Sequence, residues 1–114
     1  MTTYVRCDKC LGEIRRPEEG QIEWLVRRSG DDQIGRGLRV VHVNSCSPQA
    51  VDGWGCQYDH NAEYRRDGSL VYGSAITDFL GPTGLARLLE LVESAVLPQQ
   101  DVIALIRRLH VGVE

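Results

Sequence analysis

The chain has 114 residues, of which 42% are hydrophobic and 25% charged, and its formal net charge is −3. That length fits one domain with a modest core and excludes a multidomain enzyme, while the mixed composition excludes an intrinsically disordered chain. The apolar runs are too short for a transmembrane helix, and the mild acidity lacks the basic excess typical of nucleic-acid binders. No basic patch followed by an apolar run opens the sequence, so no secretory signal is expected and the expected location is cytoplasmic.

Residues 4–11 read as a short strand running into a turn that carries Cys7-Asp8-Lys9-Cys10, with Gly12 just beyond. Two cysteines spaced this way form a knuckle, in which both sulfurs face one ion and backbone amides face the sulfurs. Pro17-Glu18-Glu19-Gly20 is a turn signal. Ile22, Trp24 and Val26 then alternate with Glu23, Leu25 and Arg27. Apart from the apolar Leu25, that is the period of a half-buried strand. The polar stretch 28–37 reads as a hairpin loop. Its Gly35-x-Gly37 lacks both the third glycine and the following helix of a phosphate loop.

Leu38 to Val43 is β-branched and reads as a second strand, leading into His42 and Cys46. Residues 44–61 look like a long loop that needs an anchor. Tyr64 to Tyr72 reads as a hairpin around Asp67-Gly68. From about Thr77 the period changes. Leu85, Leu88, Leu89 and Val92 fall on one helical face, behind Pro82 and Thr83, which suit a helix start. After a break at Ala95-Val96-Leu97-Pro98, a second helix uses Val102, Ile106 and Leu109, with Ile103 and Leu105 widening its apolar face. It ends near His110-Val111-Gly112. Leu91 and Leu105 lie beyond the main stripes, and either complete the core or form a face for a partner or a second copy.

The four cysteines are Cys7, Cys10, Cys46 and Cys56. The Cys-x-x-Cys spacing without a secretory signal favours a reduced compartment and a metal over two disulfides. His42-x3-Cys46 has the spacing of a second half-site, so the expected set is Cys7, Cys10, His42 and Cys46 around a structural Zn2+. Cys56 is the alternative fourth ligand. In place of His42 it gives a four-thiolate site; in place of Cys46 it keeps three thiolates and one imidazole. Iron also accepts such thiolate-rich ligation. Buried free thiols and a redox dithiol are the competing readings, but no helix follows Cys-x-x-Cys as a thioredoxin-like site requires. His60 reads as exposed loop and His110 as a partner of helix-terminal carbonyls. Trp24 and Trp54 read as core or loop anchors. No catalytic residue is assigned. The deaminase pattern, the His-Glu-x-x-His helix and Gly-x-Ser-x-Gly are all absent from the sequence.

All basic residues but Lys9 are arginine, and four Arg pairs occur: Arg15-Arg16, Arg27-Arg28, Arg65-Arg66 and Arg107-Arg108. Acidic neighbours blunt the field of each pair.

The Cys7–Cys10 knuckle, with strands and a distant His/Cys pair, resembles the zinc-ribbon and zinc-knuckle domains. With Gly20-Gln21-Ile22-Glu23-Trp24, Val40-Val41-His42 and Phe79-Leu80-Gly81-Pro82-Thr83-Gly84-Leu85, the chain also resembles small uncharacterised prokaryotic proteins that join such a knuckle to a helical tail. The resemblance implies no activity. Zinc ribbons commonly use a second Cys-x-x-Cys, which this chain lacks.

The expected architecture is α+β: a small zinc-clamped antiparallel sheet of three to four strands with a C-terminal αα-hairpin. Residues 1–74 form the zinc-binding β-rich region and 75–114 the helical hairpin, packed as one domain. The expected role is a zinc-stabilised, non-enzymatic module that binds a protein. The alternative is a nucleic-acid-binding zinc protein in which Arg15, Arg16, Arg27, Arg28, Arg65 and Arg66 share a face and Trp24 or Tyr64 stacks on a base. A zinc enzyme is the third reading. No membrane partner is expected.

Overall fold

A computed structural model of the chain describes residues 5–43, 46, 55–58 and 66–111. The architecture is α+β, and the described residues form a two-stranded and a three-stranded antiparallel sheet and two α-helices.

Strand β1 (Val5–Arg6) pairs with β2 (Glu13–Ile14), Val5 opposite Ile14. The turn between them is the knuckle, closed by the Cys7 amide donating to the Gly12 carbonyl at 2.8 Å and the Leu11 amide to the Cys7 carbonyl at 2.9 Å. A 3-10 turn, Pro17–Glu19, leads into β3 (Gly20–Ser29). A tight turn at Gly30-Asp31 joins β3 to β4 (Asp32–His42), with Ser29 opposite Asp32. Gly30 has φ +65°, the left-handed conformation such hairpin turns require. The hairpin loop is therefore much shorter than 28–37. Most of that polar stretch is strand, because the tip of the hairpin faces water on both sides and needs no apolar alternation to pair.

Strand β5 (Leu70–Ala75) pairs with the other edge of β3, giving the order β4-β3-β5. The expected hairpin at Tyr64 to Tyr72 is met only in part. Asp67-Gly68 does turn the chain, with the Asp67 carboxylate accepting from the Ser69 amide at 3.0 Å. The strand after it finds its partner in β3, however, and Tyr64 lies outside the described residues.

Ile22, Trp24 and Val26 share one face of β3 and join the core cluster that includes Leu88, Leu97, Val102 and Leu105 from the helical region. Glu23 and Leu25 point the other way, yet both are buried. Strand β3 is thus buried on two faces rather than one. The segment 55–58 covers the second face, its Tyr58 amide bonded to Glu23. Trp24 is the cross-strand partner of Tyr72 on β5 and stacks on it, with ring centroids 6.3 Å apart, while opposite residues 23–25 the register of β4 shifts by one residue.

The outer edge of β4 is also occupied. Asp8 of the knuckle pairs with Val40 through its amide at 2.7 Å and its carboxylate at 2.8 Å. The Gly35 amide donates to the Val96 carbonyl at 2.7 Å. Covering a strand edge in this way removes a site for unwanted pairing.

A 3-10 turn at Ile76–Phe79 precedes α1 (Gly81–Ser94), which has Pro82 in its first turn, where a missing amide proton costs nothing. Residues 95–98 link it to α2 (Gln99–Ile106), which packs on α1 and continues into a π-helical turn, Arg107–Val111. Leu105 is buried and Leu91 packs against the core, so both complete the interior, whereas Leu89 and Ile103 are exposed. His110 does not serve its own helix end. Its Nε2 bonds the Phe79 carbonyl at 2.8 Å, tying the C-terminal turn to the start of the helical region. Arg108 reaches back to the knuckle, donating to the Asp8 carboxylate at 3.1 Å and to the Arg6 carbonyl at 2.9 Å. Among the described residues, no helix is long and apolar enough to cross a membrane.

Gly84 sits on α1 where a Cβ would run into the backbone of Phe79. Gly84→Ala is expected to lower stability by about 1–3 kcal/mol through overpacking, although alanine is intrinsically the better helix former by about 1 kcal/mol. The urea midpoint of the purified variant checks the sign; a midpoint above wild type would reverse it.

Candidate metal centre

Four side chains converge: Cys7 and Cys10 from the knuckle, His42 from the end of β4 and Cys56 from the segment 55–58. Their ligand atoms all lie within 4.8 Å of one another. Cys7, His42 and Cys56 are buried and Cys10 is exposed. Such a set of three thiols and one imidazole can hold a metal ion.

The knuckle is built for sulfur. The Lys9 and Cys10 amides point at Cys7 Sγ from 3.4 and 3.5 Å, and the Gly12 amide at Cys10 Sγ from 3.4 Å. These donors favour the thiolate over the thiol. The chain gains this arrangement by placing Leu11 at φ +66°, a conformation that a side chain such as leucine rarely adopts.

His42 is oriented by its second nitrogen. Nε2 lies 2.8 Å from the Glu13 carbonyl oxygen. A carbonyl only accepts, so Nε2 carries the proton and Nδ1 presents its lone pair. That lone pair faces the sulfurs: Nδ1 is 3.4 Å from Cys10 Sγ and 3.9 Å from Cys56 Sγ. Zinc bonds of about 2.3 Å to sulfur and about 2.0–2.1 Å to nitrogen put the sulfur–nitrogen edges of a tetrahedron near ~3.6 Å. The two separations straddle that value. A backbone carbonyl fixing the imidazole tautomer is also the usual support of a metal-bound histidine.

Burial pushes the Cys7 thiol up, but hydrogen bonds from the backbone of Cys10, His42 and Lys9, with the Cys10 side chain, outweigh it and bring the pKa down to about 7 from 9.0.

The fourth position differs from the expected set. Cys46 is exposed and lies outside the group, and Cys56, the alternative, stands with Cys7, Cys10 and His42. After β4 the chain turns, with the Cys46 amide donating to the Val43 carbonyl at 2.9 Å. The spacing His42-x3-Cys46 is thus spent on a turn, and Cys56 comes from farther along. Sequence reasoning could name Cys56 as a ligand but had no means to prefer it, because what holds it is a contact with β4 rather than a local motif. His60 and Trp54 lie outside the described residues. Trp24 is a core residue.

No family model matches the chain, and no curated protein or solved structure matches it. The candidate metal centre therefore stands on the geometry of its own four residues.

Because the folded pKa of Cys7 lies below its unfolded value, the thiolate adds stability that is full above about pH 9 and lost as the pH falls through about 7. In metal-free protein, the stability difference between wild type and Cys7→Ser should therefore shrink as the pH is lowered across that window. Urea unfolding at several pH values measures it, and a difference independent of pH would contradict the assignment.

Proposed function

We propose that this chain is a zinc-stabilised, non-enzymatic interaction module whose partner is a protein. The observation that carries the metal half is the convergence of Cys7, Cys10, His42 and Cys56 with the His42 tautomer set for Nδ1 ligation. Three thiolates and one imidazole gathered within 4.8 Å of one another suit Zn2+, and four protein ligands leave no position for a reacting water, the mark of a structural site. When bound, zinc supplies a cross-link between the knuckle, the end of β4 and the segment 55–58. In small domains such binding contributes roughly 10 kcal/mol or more to folding.

The ion pairing supports a protein partner over nucleic acid. Arg27 and Arg36 both reach Asp67, Arg15 reaches Glu13, Arg16 reaches Glu19 and Arg108 reaches Asp8. The Ser69 hydroxyl, its amide and Arg36 together hold the Asp67 carboxyl below its usual range, so that charge persists to low pH. Arginines engaged with carboxylates release few counterions on meeting a phosphate backbone.

Native mass spectrometry tests the metal half. Wild type and Cys46→Ser should each carry one zinc per chain, and Cys7→Ser, Cys56→Ser and His42→Ala should lose it or hold it weakly. Loss of zinc from Cys46→Ser with retention in Cys56→Ser would overturn the ligand set. Titration with mixed DNA and RNA at low salt tests the choice of partner. No binding is expected, and binding with a steep salt slope would favour the nucleic-acid reading instead.

A further inference from the structure

Cys56 belongs to no helix or strand, yet its sulfur is placed within 4.8 Å of the other three ligand atoms. Its backbone is gripped on both sides of the side chain. Arg39 Nη2 donates to the Cys56 carbonyl at 2.9 Å. Two residues on, the Tyr58 amide donates to Glu23 Oε2 at 2.8 Å. The same Glu23 oxygen accepts from Arg39 Nε at 2.9 Å and lies 2.7 Å from Arg39 Nη2. The Arg39 guanidinium lies over the Tyr58 ring, 3.6 Å from its centroid, and the Tyr58 hydroxyl donates to the Gly37 carbonyl at 2.8 Å. Glu23 is fully buried, and it is the cross-strand partner of Arg39.

Resting on the metal-site reading above, we propose that Arg39 and Glu23 are positioning residues that hold Cys56 in the metal shell. Three features distinguish this from a pair that only joins two strands. Arg39 spends its fork on two different targets, the Glu23 carboxylate and the Cys56 carbonyl, which a lysine ammonium does not match in geometry. Arg39 and His42 sit on the same strand, so β4 sets the His42 imidazole and the Cys56 carbonyl in one frame. Finally, the pair reaches the Cys56 segment from both ends, at residues 56 and 58. Groups that orient a ligand in this way typically change metal affinity by about 10–100-fold when removed.

The test uses Co2+ as the probe, since the intensity of its sulfur charge-transfer absorption follows the number of bound thiolates. All proteins carry Cys46→Ser, so that the exposed thiol cannot enter the shell. In that background Arg39→Met is expected to bind Co2+ about 10–100-fold more weakly. Its charge-transfer intensity should fall to roughly two thirds, matching Cys56→Ser, as the shell drops from three thiolates to two. Arg39→Lys keeps a cation for Glu23 and should still show most of that one-third fall. Tyr58→Leu removes the ring under the guanidinium, leaves the buried carboxylate partnered, and should show a smaller loss; both remain informative if Arg39→Met does not fold. Variants with the full three-thiolate spectrum and wild-type Co2+ affinity, altered only in unfolding midpoint, would reduce the pair to a structural role and overturn the proposal. If the parent protein itself shows no thiolate–Co2+ absorption, the metal-site reading fails, and the positioning role falls with it.

Discussion

Four side chains on three separate stretches of chain meet with their sulfur and nitrogen atoms within 4.8 Å of one another, and much of the architecture is tied to that convergence. The knuckle must lie against the end of β4, which it does by pairing Asp8 with Val40 along the outer edge of the sheet. The segment 55–58 must lie across the second face of β3, which buries Glu23 and Leu25 there. Meanwhile the first face of β3 is left to the helices. A central strand covered on both sides is unusual for so short a chain, and it allows a small sheet to support a core and a polar centre together.

Each of the two faces is held by a different kind of force. The helical side is apolar, with Ile22, Val26, Leu88, Leu97, Val102 and Leu105 in one cluster, and its contribution grows with the area removed from water. On the other side lies a buried charge pair whose net contribution is small when complete, but whose disruption leaves an uncompensated charge at roughly 3–5 kcal/mol. The apolar side tolerates graded substitution, whereas the polar side admits few alternatives. That difference suits a segment that must deliver one sulfur to one place.

The helices were legible in the sequence because their signals are local. Pro82 marks the start of α1, and the break at residues 95–98 shows in the loss of period. The knuckle was equally plain from Cys7 and Cys10. Strand β3 was read from alternation as half-buried, since Leu25 looks like an exception until the segment that covers it is known. The hairpin tip was read as loop because Asp31, Asp32 and Gln33 carry no apolar pattern, although pairing between backbones needs none. The fourth member of the cluster was the least legible element. His42-x3-Cys46 is a local pattern with a familiar meaning, whereas Cys56, the residue that stands with His42, lies 14 residues on and meets β4 through Arg39, a contact that no spacing rule encodes.

Arg108 joins the Asp8 carboxylate and the Arg6 carbonyl, 100 and 102 residues away in the sequence. On a ribosome this fixes an order of assembly. The Cys7–Cys10 pair emerges first and waits as half of the cluster. His42 arrives with the β3–β4 hairpin and Cys56 later still. The arginine that straps the knuckle emerges only after both helices have been made. Until His42 and Cys56 have been made, the nascent chain therefore displays the Cys7 and Cys10 thiols without the other two members of the cluster. On the proposed reading of the site, an ion taken up early meets two thiolates, and the full set of four side chains exists only once Cys56 has been made.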